Sequence, residues 1–383
     1  MMKRLPVPEE TTCSTRNSQL DLLRIVAMFL IVLHHITQGI NSPLSVVPIN
    51  VTQASAGISH FLLNTFFMLG GLGNLLFFMI SAWFLLDKPA VKEQKIFYYV
   101  TEVWIISILF LIGFLCFYKG DISSGDVIKS LFPTTFANNW FVTCYILFYA
   151  VHGLLNIVIQ TLAKEKLLKL SLLLCFLYVG CNTVKNGLFF TSVLIFWISL
   201  YFAIGYIKMY LPKLADSQKI NGIILAVGLF GLWGMTFFTN WIGLHFGIFQ
   251  DKVYHWGGIY SVFWVLVGFA LLNLFRMSSR SGKIGFFSKI APYMLLVYLI
   301  HENLLFRTYL RPQWFNQWYV YAENLNIVIS VLLFALFIFI ASFMLSVLFD
   351  ECCGKMIERL SALLYKAVNR AYLYCENSLL KLK

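Results

Sequence analysis

One apolar segment, LDLLRIVAMFLIVLHHI at residues 20–36, holds an acid, a guanidinium and two imidazoles among residues that otherwise suit hydrocarbon. An ionisable group inside a membrane-length apolar run is costly and marks a functional site by default, so Asp21, Arg24, His34 and His35 are the first candidates. At about 100° per residue, Arg24 and His35 project from nearly the same helix face, about 16 Å apart along the axis. His34 points roughly 80° away from Arg24. Asp21 lies one turn before Arg24 and can pair with it. Arg24 suits a bidentate contact with a phosphate; its alternative role is a snorkelling anchor paired to Asp21. His35, with an ordinary pKa of about 6.5, suits a general base or an acyl carrier; its alternative is an interhelical hydrogen bond. For His34 that bond is the favoured reading.

Few other ionisable groups fall inside apolar runs. Glu102 lies in the third, His152 in the fourth, and His301 and Glu302 in the ninth. His301 and Glu302 either bond structurally between helices or line an acceptor site near His35. His152 has no supporting motif and reads as packing. Ser81, near the inner end of the second run, either lines a donor tunnel or bonds its own helix backbone. Asn138, Asn139 and Trp140 begin the fourth run, where the Trp anchors at the interface or stacks on a sugar held by the amides. His60, His245 and His255 fall at or near outer ends of runs.

These residues need a membrane scaffold to position them. The chain has 383 residues, 60% hydrophobic and 12% charged, which excludes a soluble monomer, a disordered chain and a coiled coil. Apolar runs at 20–39, 61–86, 98–117, 139–161, 168–182, 189–207, 220–240, 257–275, 286–306 and 325–349 predict an all-α integral membrane protein of about ten helices. Placing both termini in the cytoplasm puts 22 Lys and Arg in inside segments and 6 outside, with Arg24 within the first span. The net charge of +12 is therefore read as cytoplasmic loop charge, not as a nucleic-acid surface. The first run lacks a small-residue cleavage site and is expected to stay as a helix. Loops are short, the longest being 40–60, 118–138, 241–256 and 307–324. The expected organisation is a cytoplasmic segment at 1–19, a membrane domain at 20–350 and a basic amphipathic helix at 351–383 on the inner surface, the alternative for the last being a solvated tail. Cys116, Cys144 and Cys175 read as packing residues; Cys352 and Cys353 follow the last run, where acylation is open to them. No cysteine pattern suggests a metal, and no internal repeat is visible.

The first segment, with Asp-x-x-Arg followed by ten residues and a His, resembles membrane-bound acyltransferase family 3, in the type that modifies bacterial surface polysaccharides. Further segments agree in order. NLLFFMISAWFLL (74–86) is similar to a family run with a Ser-Gly-aromatic turn, although Ala82 replaces the usual Gly. NNWFVTCYILFY (138–149) is similar to a Trp-Phe…Tyr motif, YFAIGY (201–206) to a Gly-Tyr helix end, and YMLLVYLIH (293–301) to a Tyr-Leu-Ile-His motif. The resemblance covers residues 20 to about 350.

The resemblance implies about ten helices and transfer of an acyl group, most often acetyl from acetyl-CoA, to a hydroxyl of a surface or exported polysaccharide or of a lipid-linked sugar. It implies a catalytic His35, and donor binding by Arg24 with Asp21 beside it and Ser81 near. Trp140, Asn139, His301 and Glu302 are the expected acceptor-side residues, with His34 accessory and no metal. The expected location is a multi-pass position in the bacterial plasma membrane. The family often has arginines where the third helix begins; here KEQKIFYYVTEVW offers Lys92 and Lys95, with Glu102 where a base is expected. Activity is expected to fall in acid as His35 protonates. The rival reading is a transporter or flippase of a lipid-linked glycan or acyl donor, which predicts ionisable groups spread over several helices or paired broken helices. A non-catalytic sensor is a further rival, and it would tolerate loss of His35.

Overall fold

The computed structural model describes residues 17–47, 49–88, 90–278, 285–322 and 325–380. All regular structure among them is helical. The chain begins with α1 (Ser18–Ile40), α2 (Ile58–Leu85), α3 (Glu93–Phe117), the short α4 (Ser124–Leu131) and α5 (Trp140–Thr161). Next come α6 (Lys164–Cys175), a π turn at Phe176–Gly180, α7 (Cys181–Val184), α8 (Val193–Tyr210), α9 (Pro212–Ala215) and α10 (Gln218–Phe246). The last are α11 (Val262–Met277), α12 (Phe286–Ile290), α13 (Met294–His301), α14 (Arg311–Tyr321) and α15 (Ile327–Leu380).

Polar residues set the helix starts. The Asn17 side chain accepts from the backbone N–H groups of Gln19 and Leu20, and Ser192, Ser217 and Ser261 cap α8, α10 and α11 in the same way. Among the described residues, nine helical segments are long and apolar enough to cross a membrane; α6 and α7 count as one, Lys164–Val184. Large side chains such as Ile112, Leu115, Phe117, Phe230 and Phe237 stand exposed on them. A surface of that kind requires hydrocarbon as solvent.

The packing centre is aromatic and small-residue. Trp197 of α8 stacks on Phe78 of α2 at 4.7 Å and meets Phe141 of α5 edge-on at 5.3 Å. α1 lies against α2. A Cβ at Gly73 would sit 2.6 Å from the Ala27 carbonyl, and one at Gly70 would sit 2.4 Å from His34 Cγ. Glycine at these two positions lets the helices approach closely enough to bury the apolar face of α1.

The structure corrects several expectations. The ninth run, expected to continue over 286–306, is broken. It forms α12, a 3-10 turn containing Pro292, and α13, ending at His301. Those 16 residues span about 24 Å, short of the roughly 30 Å hydrocarbon layer. The expected boundary at 351 is not a structural break. α15 runs uninterrupted for 54 residues, about 80 Å. Beyond the span it still packs on α3, with Ile357 and Ser361 buried and Tyr365 5.7 Å from Phe97. The segments 118–138 and 307–324, expected as loops, contain α4 and α14. Cys144 is buried as expected and Cys175 partly so, but Cys116 is exposed. The greater part of the expected N-terminal segment 1–19, with Lys3, Arg4 and Arg16, lies outside the described residues, as do Arg280, Lys283, Lys381 and Lys383.

Candidate active site

Two polar groups form on α1, one toward each end. At the C-terminal end, His35 Nδ1 lies 3.1 Å from His301 Nε2 and 3.3 Å from Glu302 Oε1. The partners fix the protons. A backbone carbonyl only accepts, so the 2.7 Å contact of His301 Nδ1 with the Val297 carbonyl puts a proton on Nδ1, and in neutral His301 this leaves the lone pair on Nε2. His35 Nδ1 is then the donor, shared between His301 and Glu302. In neutral His35 this leaves the lone pair on Nε2.

Glu302 is held in turn by two guanidinium groups. Arg311 Nη1 donates to Glu302 Oε1, and at 3.1 Å to the His301 carbonyl. Arg307 Nη1 donates to Glu302 Oε2 at 3.2 Å. The local backbone makes this possible. α13 stops at His301, and Glu302 leaves the helical conformation at φ −104° and ψ 13°. The chain resumes as a π turn over Phe306–Leu310 that leads into α14. In an unbroken α-helix a residue five positions on projects about 140° away, so the break and the wide turn together bring Arg307 and Arg311 back to Glu302. Arg307 and Arg311 are the residues that sequence reasoning missed, having placed them in an outer loop. The available signal was two cations in a segment where cations are otherwise scarce.

Other expected residues are distributed around this centre. His34 Nδ1 donates to the Phe67 carbonyl and its ring lies 4.9 Å from the Phe67 ring, so it ties α1 to α2. Asn139 Nδ2 donates to the Glu302 carbonyl at 3.4 Å and so reaches the centre. Trp140 is half-buried and sits edge-on to Phe141 at 5.9 Å, with no bond to His35 or Glu302 described. His152 is fully buried, its Nδ1 2.6 Å from the Tyr149 carbonyl. His60, His245 and His255 each bond backbone carbonyl groups.

His35 opens onto a cavity of about 490 Å³, lined also by Gln38, Asn41, Arg307, Arg311 and Asn316. The walls come from the end of α1, the following loop and α14. Asn316 ties that loop down by donating to the Leu44 carbonyl at 2.7 Å and accepting from the Val46 N–H at 3.2 Å. His35, His301 and Glu302 offer ligand atoms within 4.8 Å of one another, the geometry a metal ion could use. A cation there would compete with both guanidinium groups for the Glu302 carboxylate, which disfavours it.

The second group lies near the start of α1. Arg24 Nη1 bonds Asp21 Oδ1 at 2.9 Å, and Asp21 Oδ2 accepts from Ser288 Oγ at 2.7 Å. Arg24 also lies over the Phe84 ring at 5.9 Å. Ser81 belongs to this end, where the Tyr145 hydroxyl interacts with it and with Tyr99. Lys95 Nζ sits over the Tyr99 and Tyr149 rings at 5.4 and 5.3 Å. Glu102, expected as a departure from a basic pattern, is buried beside Tyr98 and in the field of Asp350 from α15.

A family model described as an acyltransferase domain matches residues 17–351. No curated protein and no solved structure matches the chain. The matched region takes in every membrane-length segment up to the inner part of α15, together with both polar groups on α1. The chain therefore belongs to acyltransferase family 3, and the protein is a multi-pass membrane acyltransferase.

Proposed function

We propose that the protein moves an acyl group, acetyl in the first instance, from cytoplasmic acyl-CoA to a sugar hydroxyl of a cell-surface or exported polysaccharide, at a bacterial plasma membrane with both termini inside. The observation that carries this reading is the hydrogen bonding of His35. Its Nδ1 is committed to Glu302 and His301, which orients the ring and, in the neutral form, leaves the Nε2 lone pair free to act as a base on a residue that lines the cavity.

Arg24 and Lys95 supply positive charge for the CoA phosphates, with Asp21 orienting Arg24 and Ser81 beside the tyrosines. The acceptor enters the cavity onto which His35 opens, with Asn139 bonded to the Glu302 carbonyl behind it and Trp140 next in sequence. His35 Nε2 takes the proton of the acceptor hydroxyl as its oxygen bonds to the acyl carbon. The carbon–sulfur bond breaks, and the proton passes from His35 to the CoA thiolate. Glu302 stabilises the imidazolium formed between these steps. Transient acylation of His35 is the other order of the same events, with acyl transfer to Nε2 before attack by the hydroxyl. No step is assigned to a metal.

The test is the full chain in nanodiscs with labelled acetyl-CoA and added surface polysaccharide, compared with His35→Ala and Arg24→Ala. The expected result is CoA release that vanishes in His35→Ala and shows a raised KM for acetyl-CoA in Arg24→Ala. No turnover with any member of an acyl-CoA panel would overturn the proposal and favour transport of a lipid-linked glycan.

A further inference from the structure

Among the described residues, charge does not balance around His35. Arg307 and Arg311 both donate to the one carboxylate of Glu302, so this group carries two guanidinium charges against one negative charge. His35 and His301, as neutral imidazoles, add no negative charge, and protonation of either would add a further positive one. None of the described residues lining the cavity is acidic; its polar lining consists of His35, Gln38, Asn41, Arg307, Arg311 and Asn316 with short hydroxyl residues. Asp126 of α4 is already met by Lys129 at 3.5 Å and the Tyr309 hydroxyl at 2.8 Å.

An excess charge in a largely buried cluster is expensive unless a partner of opposite sign meets it. The Arg307 side chain is 30% exposed and Arg311 10%, so one guanidinium is open to the cavity and the other is nearly enclosed. Each has five N–H donors in a planar fork, and the bonds described use Nη1 of each. A fork of this kind matches a carboxylate or a phosphate.

We infer that the acceptor is an anionic glycan unit, with a carboxylate or a phosphate docked on Arg307 and Arg311 beside the hydroxyl presented to His35. This rests on the proposed acyl transfer and adds the substrate class. The negative charge completes the pairing that Glu302 leaves half-finished. It also holds the sugar against the cavity wall that contains His35, so that binding the charge and aligning the hydroxyl are one event.

The experiment uses the full chain in nanodiscs, labelled acetyl-CoA and surface polysaccharide from the producing cell, stripped of its O-acyl groups by mild base. Three acceptor preparations are compared: untreated, carboxyl-reduced with carbodiimide and borohydride, and dephosphorylated with cold hydrofluoric acid. The expected result is a fall in kcat/KM of at least about tenfold in one treated preparation, which also identifies which anion is read. The preference should weaken as salt is raised, and Arg307→Gln should shrink the ratio between untreated and treated acceptor while Arg307→Lys keeps part of it. Equal transfer to all three preparations by the native chain would overturn this inference and leave acyl transfer standing. No transfer to any of them, with no CoA release, would overturn both.

Discussion

Replacing Glu302 by Gln keeps the shape of the side chain and removes its charge. Two consequences can be worked from the distances. A carboxylate 3.3 Å from His35 Nδ1 stabilises an imidazolium by about 5 kcal/mol at an effective dielectric of about 20. The two guanidinium groups bonded to Glu302 offset part of this; taking half leaves about 2–3 kcal/mol, or roughly 30- to 160-fold in kcat. The same change leaves two guanidinium groups without their shared carboxylate, which costs about 3–5 kcal/mol of stability where the broken pair is buried. The assay follows CoA release from labelled acetyl-CoA, alongside the thermal midpoint and the KM for acetyl-CoA. Glu302→Gln is expected to lower kcat by the factor above and to lower the midpoint, with the donor KM held because the proposed CoA site lies at the Arg24 end of α1. Glu302→Asp, which keeps the charge, should recover part of both. A folded Glu302→Gln protein that binds acetyl-CoA and retains kcat within about threefold of native would refute the electrostatic role given to this carboxylate.

Gly70→Ala should lower the thermal midpoint by an amount equivalent to about 1–3 kcal/mol and reduce transfer, because the new methyl meets His34 at 2.4 Å and forces α1 off α2. Arg311→Ala should destabilise the protein more than Arg307→Ala in the same melting assay, since Arg311 is the more buried and also bonds the His301 carbonyl. His152→Phe should leave kcat within about twofold and act, if at all, on the KM for acetyl-CoA, because its ring packs 4.9 Å from that of Tyr149, over which Lys95 sits. Truncation after Asp350 should lower the midpoint more than truncation after Lys366, because only the former removes Ile357, Ser361 and the Tyr365 contact with Phe97.

Much of this molecule was legible in its sequence because hydrocarbon imposes a simple grammar. Length and apolarity located the spans, and the cost of buried charge singled out Asp21, Arg24, His35, His301 and Glu302 without any knowledge of the fold. Helical periodicity put Arg24 and His35 on one face. What periodicity could not supply was the meeting of α1 with α13, since pairing across 266 residues of sequence depends on how the helices assemble. Arg307 and Arg311 escaped for a different reason. Their approach to Glu302 depends on a helix break followed by a π turn, and a reading at a fixed 100° per residue turns them away. The break in the ninth run had a visible cause in Pro292, whereas the unbroken passage of α15 beyond its span had none, because the sequence there changes polarity without a stop residue.

Between its two polar ends α1 is dry. Ala27, Met28, Ile31 and Val32 are at most 1% exposed, pressed among the neighbouring helices. That layer works as electrical insulation. An enzyme that takes its donor from one aqueous phase and its acceptor from the other stands at risk of leaking protons between them, and here a plug of methyl and thioether groups separates Arg24 from His35. Under the proposed transfer, an acyl chain passing from the Arg24 end to the His35 end would have to push this plug aside, and the side chains would have to close behind it to keep the two aqueous phases apart.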